Sequence, residues 1–585
     1  MHTTHKTIRR RPLPSAIHGL PDHLHPVLRR VYLARSLTDA TQLEHSLKRL
    51  LPLRGLNGLD AAIALLEAAL IQNRRIVIVA DFDADGATSC AVVVRALRAM
   101  GAQDVAYVIP NRIIHGYGLT PAIVKVAADL SPSLLVTVDN GISSIEGVAE
   151  ARALGMQVLI TDHHLPGLEL PVADAIVNPN CPGNDFPSKT LAGVGVIFYV
   201  MLALRTHLRT RGWFGLTRPE PNLGVLLDLV ALGTVADVVP LDYNNRILVA
   251  QGLTRIRTGV ACAGIAALLA VAERNPERAN STDLGFFVGP RLNAAGRLED
   301  MTIGVECLLT DNATYAKTLA ARLDTLNRER RAIEAEMQDQ ALEALERLDL
   351  EEELELPWGL VLYDESWHPG VIGILAARLK DRLNRPVIAF APGTNDELRG
   401  SARSIPGLHV RDTLEAIAAR HPKLLSRFGG HAMAAGLSLS RIHFSAFAAA
   451  FDTEVHRRIT PDDLCGVILS DGALDPTEFS LELAELLRNS GPWGQGFPEP
   501  IFDGVFQCLS SRVVGDRHLK LRVCPVNGTI PLDAIAFNSA EHFFPVPGSY
   551  LRLAYRLDIN QYRDNRNLQL VLEYLEPYFG NTTNL

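Results

Sequence analysis

Seven cysteines in 585 residues are few, odd in number and scattered, and no two form a C-x-x-C pair. That excludes a disulfide framework and a zinc ribbon, and leaves reduced thiols packed as small apolar groups. Long hydrophobic runs are missing too. The longest uncharged apolar stretch, Gly193 to Leu204, is too short to span a bilayer and reads as a buried helix. No apolar signal-peptide core follows the basic residues His2 to Arg11, so a cytoplasmic protein without a membrane partner is expected. Nor is there an excess of positive charge: 57 Lys and Arg against 65 Asp and Glu give −8, which alone speaks against a nucleic-acid binder. That exclusion is weak, because a metal site consumes carboxylates and a basic groove can lie within an acidic total. Repeats and low-complexity tracts are absent.

What is there is an apolar content of 47%, ordinary for packed cores. At this length about three or four domains are expected. Residues 1–69 read as a helical N-terminal extension. Within 70–305 the β-rich runs Arg75–Ala80, Val105–Ile109, Leu134–Val138 and Val158–Ile160 alternate with helical segments, which predicts right-handed βαβ units and a mostly parallel sheet. In 306–355, Leu319, Leu323, Leu326, Ile333, Met337, Leu345 and Leu348 form one apolar stripe on a long charged helix, either a solvated face or a rigid connector. A second α/β block, 356–460, has strands Gly359–Tyr363, Pro386–Phe390 and Leu398–Ser401. In 461–585 the runs Gly504–Ser510, Leu519–Val523, Leu532–Phe537, Tyr550–Leu557 and Leu568–Tyr574 suit a small five-stranded barrel such as the OB-fold.

The chemistry lies where strands end. Asp81-Phe82-Asp83-Ala84-Asp85-Gly86, Asp139-Asn140-Gly141 and Asp162-His163-His164 each follow a β-rich run. Strand ends of a parallel sheet converge on one crevice, and carboxylates sharing it need cations. The chain therefore reads as a metal-dependent enzyme acting on phosphates. Alternate Asp side chains in an extended segment point the same way and can meet one pair of cations. Two other readings of D-x-D-x-D-G are an Asp-rich helix cap and a calcium loop. The calcium loop fails because its twelfth position, which needs Glu, is Val92. Adjacent His163 and His164 suit Mn²⁺ or another transition ion better than Ca²⁺, one as ligand and one facing substrate. Asp139 alone could be a turn residue, and Asp237 a helix-terminal one.

Together Asp83, Asp85, Asp139, Asp162-His163-His164 and Asp237 resemble the DHH phosphoesterase superfamily, and within it the bacterial single-strand-specific exonucleases. Three further stretches are similar to motifs of that group: Gly289-Pro290-Arg291-Leu292-Asn293-Ala294-Ala295-Gly296-Arg297, Phe428-Gly429-Gly430-His431-Ala432-Met433-Ala434-Ala435-Gly436, and Gly494-Gln495-Gly496-Phe497-Pro498-Glu499-Pro500. The resemblance spans about 70 to 580. It implies a DHH catalytic domain, a long helix, a DHHA1-type domain and an OB-fold. It also implies two divalent cations, Mn²⁺ or Mg²⁺, with Asp139 bridging them, Asp81 and Asp83 on one and Asp85, His163 and Asp237 on the other. His164 would approach the scissile phosphate. Related pyrophosphatases carry a His where this chain has Val79, and Asp81 stands in for it. Arg112, Arg297, Ser401 and Arg403 would hold a 5′ phosphate, with His431 near the backbone or only structural. Arg517, His518, Lys520, Arg522, Tyr555, Arg556, Tyr562, Arg563 and Arg566 are candidates for strand tracking.

The implied activity is 5′-to-3′ degradation of single-stranded DNA in repair and recombination by a monomer, with a single-strand-binding protein and a RecQ-type helicase as possible partners. The rival readings are a pyrophosphatase or nucleotide phosphatase of the same superfamily, and a DNA-binding relative without activity.

Overall fold

The computed structural model describes residues 6–14, 19–112, 114–352, 356–393, 396–515, 517–539, 544–562 and 565–580, with the side chains of 344–352 and 562 outside the described set. A short strand β1 (Lys6–Arg10) precedes the first α/β block. The block's own strands are β2 (Ile76–Ala80), β3 (Val105–Val108), β4 (Leu134–Val138), β5 (Gln157–Thr161) and β6 (Ala175–Val177). All pair in parallel, in the order β3-β2-β4-β5-β6. β2 and β4 are buried along their whole length, as their unbroken Val, Ile and Leu runs require of strands covered on both faces. Val77, Val79, Leu135, Val158 and Ile160 face the helices Pro121–Ala128 and Ile145–Ala153, whereas Ile76, Ile78, Val136 and Leu159 face the larger helical core. From β2 the chain steps to β3 on one side and then to β4 on the other. The carboxyl ends of β2 and β4 therefore flank the crevice at the sheet's switch point.

One helix, Ala313–Glu352, links the two α/β blocks. Its first half sends Ala316, Ala320, Leu323 and Leu326 into the catalytic core, and its second half sends Met337 and Ala341 into the core of the next domain. The apolar stripe thus serves as a connector. Leu345 and Leu348 lie outside the described side chains. The second domain has the mixed sheet β10-β11-β9-β8-β7, built from β7 (Leu360–Tyr363), β8 (Val387–Pro392), β9 (Glu397–Arg403), β10 (Arg427–Gly430) and β11 (Ala434–Ser440). β10 and β11 form a hairpin rich in Gly and Ala, residues with little β-propensity, and no strand is expected there from sequence. β9 also runs two residues past the expected Ser401 end, so Ser401 and Arg403 lie within a strand rather than after one.

Strand β12 (Gly466–Ser470) leads to a closed barrel of β13 (Phe502–Val514), β14 (His518–Pro525), β15 (Leu532–Ala536), β16 (Tyr550–Tyr562) and β17 (Asn565–Pro577), joined β13-β14-β15-β17-β16. The N-terminal extension is not purely helical. It has helices Pro26–Leu33 and Leu59–Ile71, but β1 pairs in parallel with β12. A five-residue strand whose partner lies some 460 residues away leaves no local periodicity to read. Arg35 fixes this junction with a bidentate pair to Asp471 at 2.8 and 3.0 Å, both side chains almost fully buried.

Candidate active site

The loop after β2 is shaped by close backbone packing. A Cβ on Gly86 would lie 2.3 Å from the Asp81 carbonyl, so glycine is required there by proximity and not by an unusual φ. Asp83 caps the helix Ala84–Ala99: its Oδ1 accepts from the N–H groups of Asp85 and Gly86 at 2.9 and 3.0 Å. The capping reading therefore holds for one oxygen of Asp83. Asp85, inside the first turn, accepts from Gly193 and Val194 N–H at 2.7 and 2.9 Å, which docks it on the start of helix Gly193–Thr210. Two residues of the G-P-R-L-N-A-A-G-R stretch brace the same loop. Asn293 Oδ1 accepts from Ala84 N–H at 2.7 Å, and Gly296 lies so close that a Cβ would stand 1.8 Å from the Phe82 carbonyl.

Asp139 follows β4 in the left-handed region, at φ 61°, which aims its carboxylate back over the crevice. Its Oδ1 stands 3.1 Å from His163 Nε2, and that nitrogen is 3.5 Å from Asp237 Oδ2. Asp237 ends helix Leu227–Ala236. Gly193 leaves the space the Asp139 carboxylate fills, since a Cβ there would come within 2.6 Å of Oδ1. Asn140 is buried and donates to the carbonyls of Val79 and Val138, tying the ends of β2 and β4 together. Asp162 is a hub. Its Oδ1 accepts from His163 N–H, His164 N–H and His164 Nδ1 at 2.7, 3.1 and 2.7 Å, and its Oδ2 from Ile142 N–H at 2.9 Å. The supporting roles of Asn140, Asp162 and Asn293 have no signature in sequence beyond their adjacency to the motifs.

Ligand-type atoms of Asp81, Asp83 and Asp139 lie within 4.8 Å of one another, as do those of Asp85, His163 and Asp237, and those of Asp139, His163 and His164. Asp81 Oδ1, Asp139 Oδ1 and His163 Nε2 are buried without a hydrogen-bond partner. Burial and then mutual repulsion push Asp81, Asp139 and Asp237 well above the usual carboxylate range, and Asp85 up to about 7. His163 is pushed down to about 3 by burial and the His164 charge, so it offers a neutral nitrogen. Burial opposes the charge of His164, but the hydrogen bond and charge of Asp162 outweigh it and raise the imidazole to about 9. Orphaned donor atoms and carboxylates lacking counter-charge fit a pair of divalent cations.

Beside this cluster, three guanidinium groups converge from two domains. Arg112 stacks on the Phe82 ring, 5.0 Å from its centroid. Arg297 sits in the last turn of helix Gly289–Leu298, not in a turn as its Ala-Gly-Arg context suggests, and donates to the Gly370 carbonyl at 3.0 Å. Arg403 donates to Ser401 Oγ at 3.1 Å. Burial, then the charges of Arg112, Arg330 and Arg403, bring Arg297 down to about 9, and burial and Arg112 also lower Arg403. Among the described residues none of Arg112, Arg297 and Arg403 forms an ion pair, so the group carries positive charge without a carboxylate partner. His431 tops the β10–β11 turn, its N–H donating to the Ala434 carbonyl at 2.8 Å. Desolvation and then the His164 charge depress its imidazole. Tyr117, not foreseen, holds its hydroxyl 3.3 and 3.2 Å from the His164 ring nitrogens.

The barrel candidates divide. Tyr555 is buried in the barrel core, and Lys520, Arg556 and Arg566 are engaged by Asp533, by Glu499 with Glu573, and by Glu485. Alternation along the strands does not reveal which polar faces are already neutralised. Arg517 and Arg522 stay exposed without an ion pair among the described residues, and His518 meets Phe537 edge-on. Arg563 and the Tyr562 side chain lie outside the described residues.

A parallel sheet with paired acidic triads at its switch point, joined by a long helix to a second arginine-bearing domain, defines a metal-dependent phosphoesterase of the DHH class. Family models agree: "DHH family, N-terminal domain" matches residues 75–234, "DHHA1 domain" 358–457 and "RecJ OB domain" 470–574. The chain is 53% identical over 560 residues to the single-stranded-DNA-specific exonuclease RecJ of Salmonella typhimurium, covering 95% of this chain and 97% of that one. It is 52% identical over 572 residues to RecJ of Escherichia coli, covering 97% and 99%. The crystal structure of Thermus thermophilus RecJ in complex with Mn²⁺ is similar to it with TM-score 0.78 at 30% identity, over 98% of this chain and 79% of that one. The Mg²⁺ complex of the same protein gives 0.73 at 28%, over 98% and 78%. The chain belongs to the RecJ family of single-stranded-DNA-specific exonucleases.

Proposed function

We propose that this chain degrades single-stranded DNA from the 5′ end, with Mn²⁺ or Mg²⁺ held by two carboxylate groups that meet at Asp139. The observation that carries the reading is the juxtaposition of the acidic triads with the unpaired Arg112, Arg297 and Arg403. Asp81, Asp83 and Asp139 would hold one ion, and Asp85, His163 and Asp237 the other, with Asp139 shared. When bound, the two ions activate a water and neutralise charge on the phosphodiester. The remaining work belongs to the protein. Arg112, Arg297, Arg403 and Ser401 hold the terminal phosphate as guanidinium forks suit it. That fixes the first phosphodiester bond over the metal cluster. His164, kept protonated by Asp162, presents a cation to the phosphate oxygens as charge develops. His431 would touch the backbone from the second domain.

The crevice between the two α/β domains would admit one strand and exclude a duplex, while exposed barrel residues such as Arg517 and Arg522 guide the strand. A monomer working in the cytoplasm, supplied by a single-strand-binding protein and a RecQ-type helicase, belongs to the same reading. No helix among the described residues is long and apolar enough to cross a membrane. Val79, where pyrophosphatases carry His, and the barrel argue against a small-molecule phosphatase, and an intact ligand set argues against an inactive relative. The test is digestion of matched 5′- and 3′-labelled single strands with each metal. Early release of the 5′ label as mononucleotide is expected. Digestion of blunt duplex without a helicase, or pyrophosphate hydrolysis at a comparable rate, would refute the reading.

A further inference from the structure

Away from the catalytic crevice, a cavity of about 220 Å³ lies between helix Tyr243–Arg257, the segment 280–282 and helix Leu481–Asn489 with the turn after it. Arg257 and Arg488 both line it, one from each helix. Each spends one N–H on a backbone carbonyl: Arg257 Nε donates to Ala279 at 2.7 Å, and Arg488 Nη2 to Arg278 at 3.2 Å. Neither has an ion pair among the described residues. The nearby carboxylates each pair with another arginine: Asp283 with Arg274 at 2.6 Å, Glu499, which itself lines the cavity, with Arg556 at 2.7 Å, and Glu485 with Arg566. Burial and the like charge of Arg488 lower Arg257. Ser281, 6% exposed, also lines the cavity, and its buried hydroxyl has no partner.

Two guanidinium groups without ion pairs among the described residues and an orphaned hydroxyl, in a space several times the roughly 30 Å³ of one water, describe an anion site. Guanidinium forks matched by a hydroxyl donor favour a tetrahedral oxyanion over a halide. We infer that Arg257, Arg488 and Ser281 bind a phosphate group, distinct from the terminal phosphate held beside the metals. Because Arg257 and Ser281 belong to the catalytic core and Arg488 to the helix that leads into the barrel, the bound anion ties those two parts together. Its absence leaves like charges opposed across that junction. The phosphate could be inorganic, part of a mononucleotide, or a backbone phosphate of single-stranded DNA.

The experiment is thermal unfolding of the full chain in chelator, with inorganic phosphate, thymidine 5′-monophosphate or a 5′-hydroxyl oligothymidine added against chloride at equal ionic strength. A saturable rise in Tm on the order of 2 °C is expected with at least one probe. Arg488→Gln and Ser281→Ala should abolish it, while Arg403→Ala, which empties the terminal-phosphate pocket, should leave it. The effective probe identifies the source. No saturable rise with any probe, or a rise that Arg488→Gln keeps and Arg403→Ala loses, overturns the inference. Equilibrium dialysis with radiolabelled phosphate on Ser281→Ala decides the matter if Arg488→Gln does not fold. Since no metal is present, failure here leaves the nuclease reading untouched.

Discussion

Phe82 stands between two carboxylates of the metal loop and touches both halves of the site. Its ring carries Arg112, meets Tyr117 edge-on at 6.1 Å, and its carbonyl rests on Gly296. A cation over an aromatic face is worth about 0.5–2 kcal/mol. Phe82→Leu should therefore narrow the preference for 5′-phosphorylated over 5′-hydroxyl strands by roughly tenfold, with Tm little changed. Comparing kcat/KM on the two substrates measures it. Asp139→Asn should abolish detectable nuclease activity yet keep or raise Tm in chelator, because it removes one of several mutually repelling charges. Paired activity and melting measurements check both halves. At this scale the clustering of the acidic and imidazole groups was legible because D-x-D-x-D and D-H-H at strand ends have few structural uses. The arginines Arg112, Arg297 and Arg403 were named only through the family resemblance, since residues from two domains leave no local pattern that shows they lie near one another.

Helix Gly289–Leu298 touches both groups of charged residues: Asn293 and Gly296 brace the acidic loop after β2, and Arg297, one residue further, lies with Arg112 and Arg403 and donates to the Gly370 carbonyl. Gly296→Ala must push this helix off the Phe82 carbonyl. A Mn²⁺ midpoint of activity raised by roughly five- to a hundredfold is expected, because such overpacking costs roughly 1–3 kcal/mol; titrating rate against Mn²⁺ reads it. Long elements were legible from periodicity, including the connector helix and the barrel strands within a few residues. Short β1 and β6 and the glycine-rich hairpin were not, because pairing rather than propensity makes them strands.

For the whole molecule, charge placement decides stability. Arg35→Ala takes the bidentate partner from buried Asp471 and leaves it only the longer contact with Arg11 at 3.7 Å, which costs on the order of 3 kcal/mol; the chemical-denaturation midpoint of the barrel should fall accordingly. Acid acts through His45, depressed to about 4 by burial and Arg246 against 6.5 when unfolded. The unfolded chain takes up that proton first, so stability is lost as pH falls from 6.5 towards 4. His45→Gln should flatten Tm against pH over that interval. The β1–β12 pairing also sets an order of events during synthesis. Residues Lys6–Arg10 leave the ribosome some 460 residues before their partner strand, a wait of roughly 20 to 90 s at 5–20 residues per second. The catalytic block can finish folding in that interval, so β1 is locked long after it is made, when β12 emerges just ahead of the barrel strands.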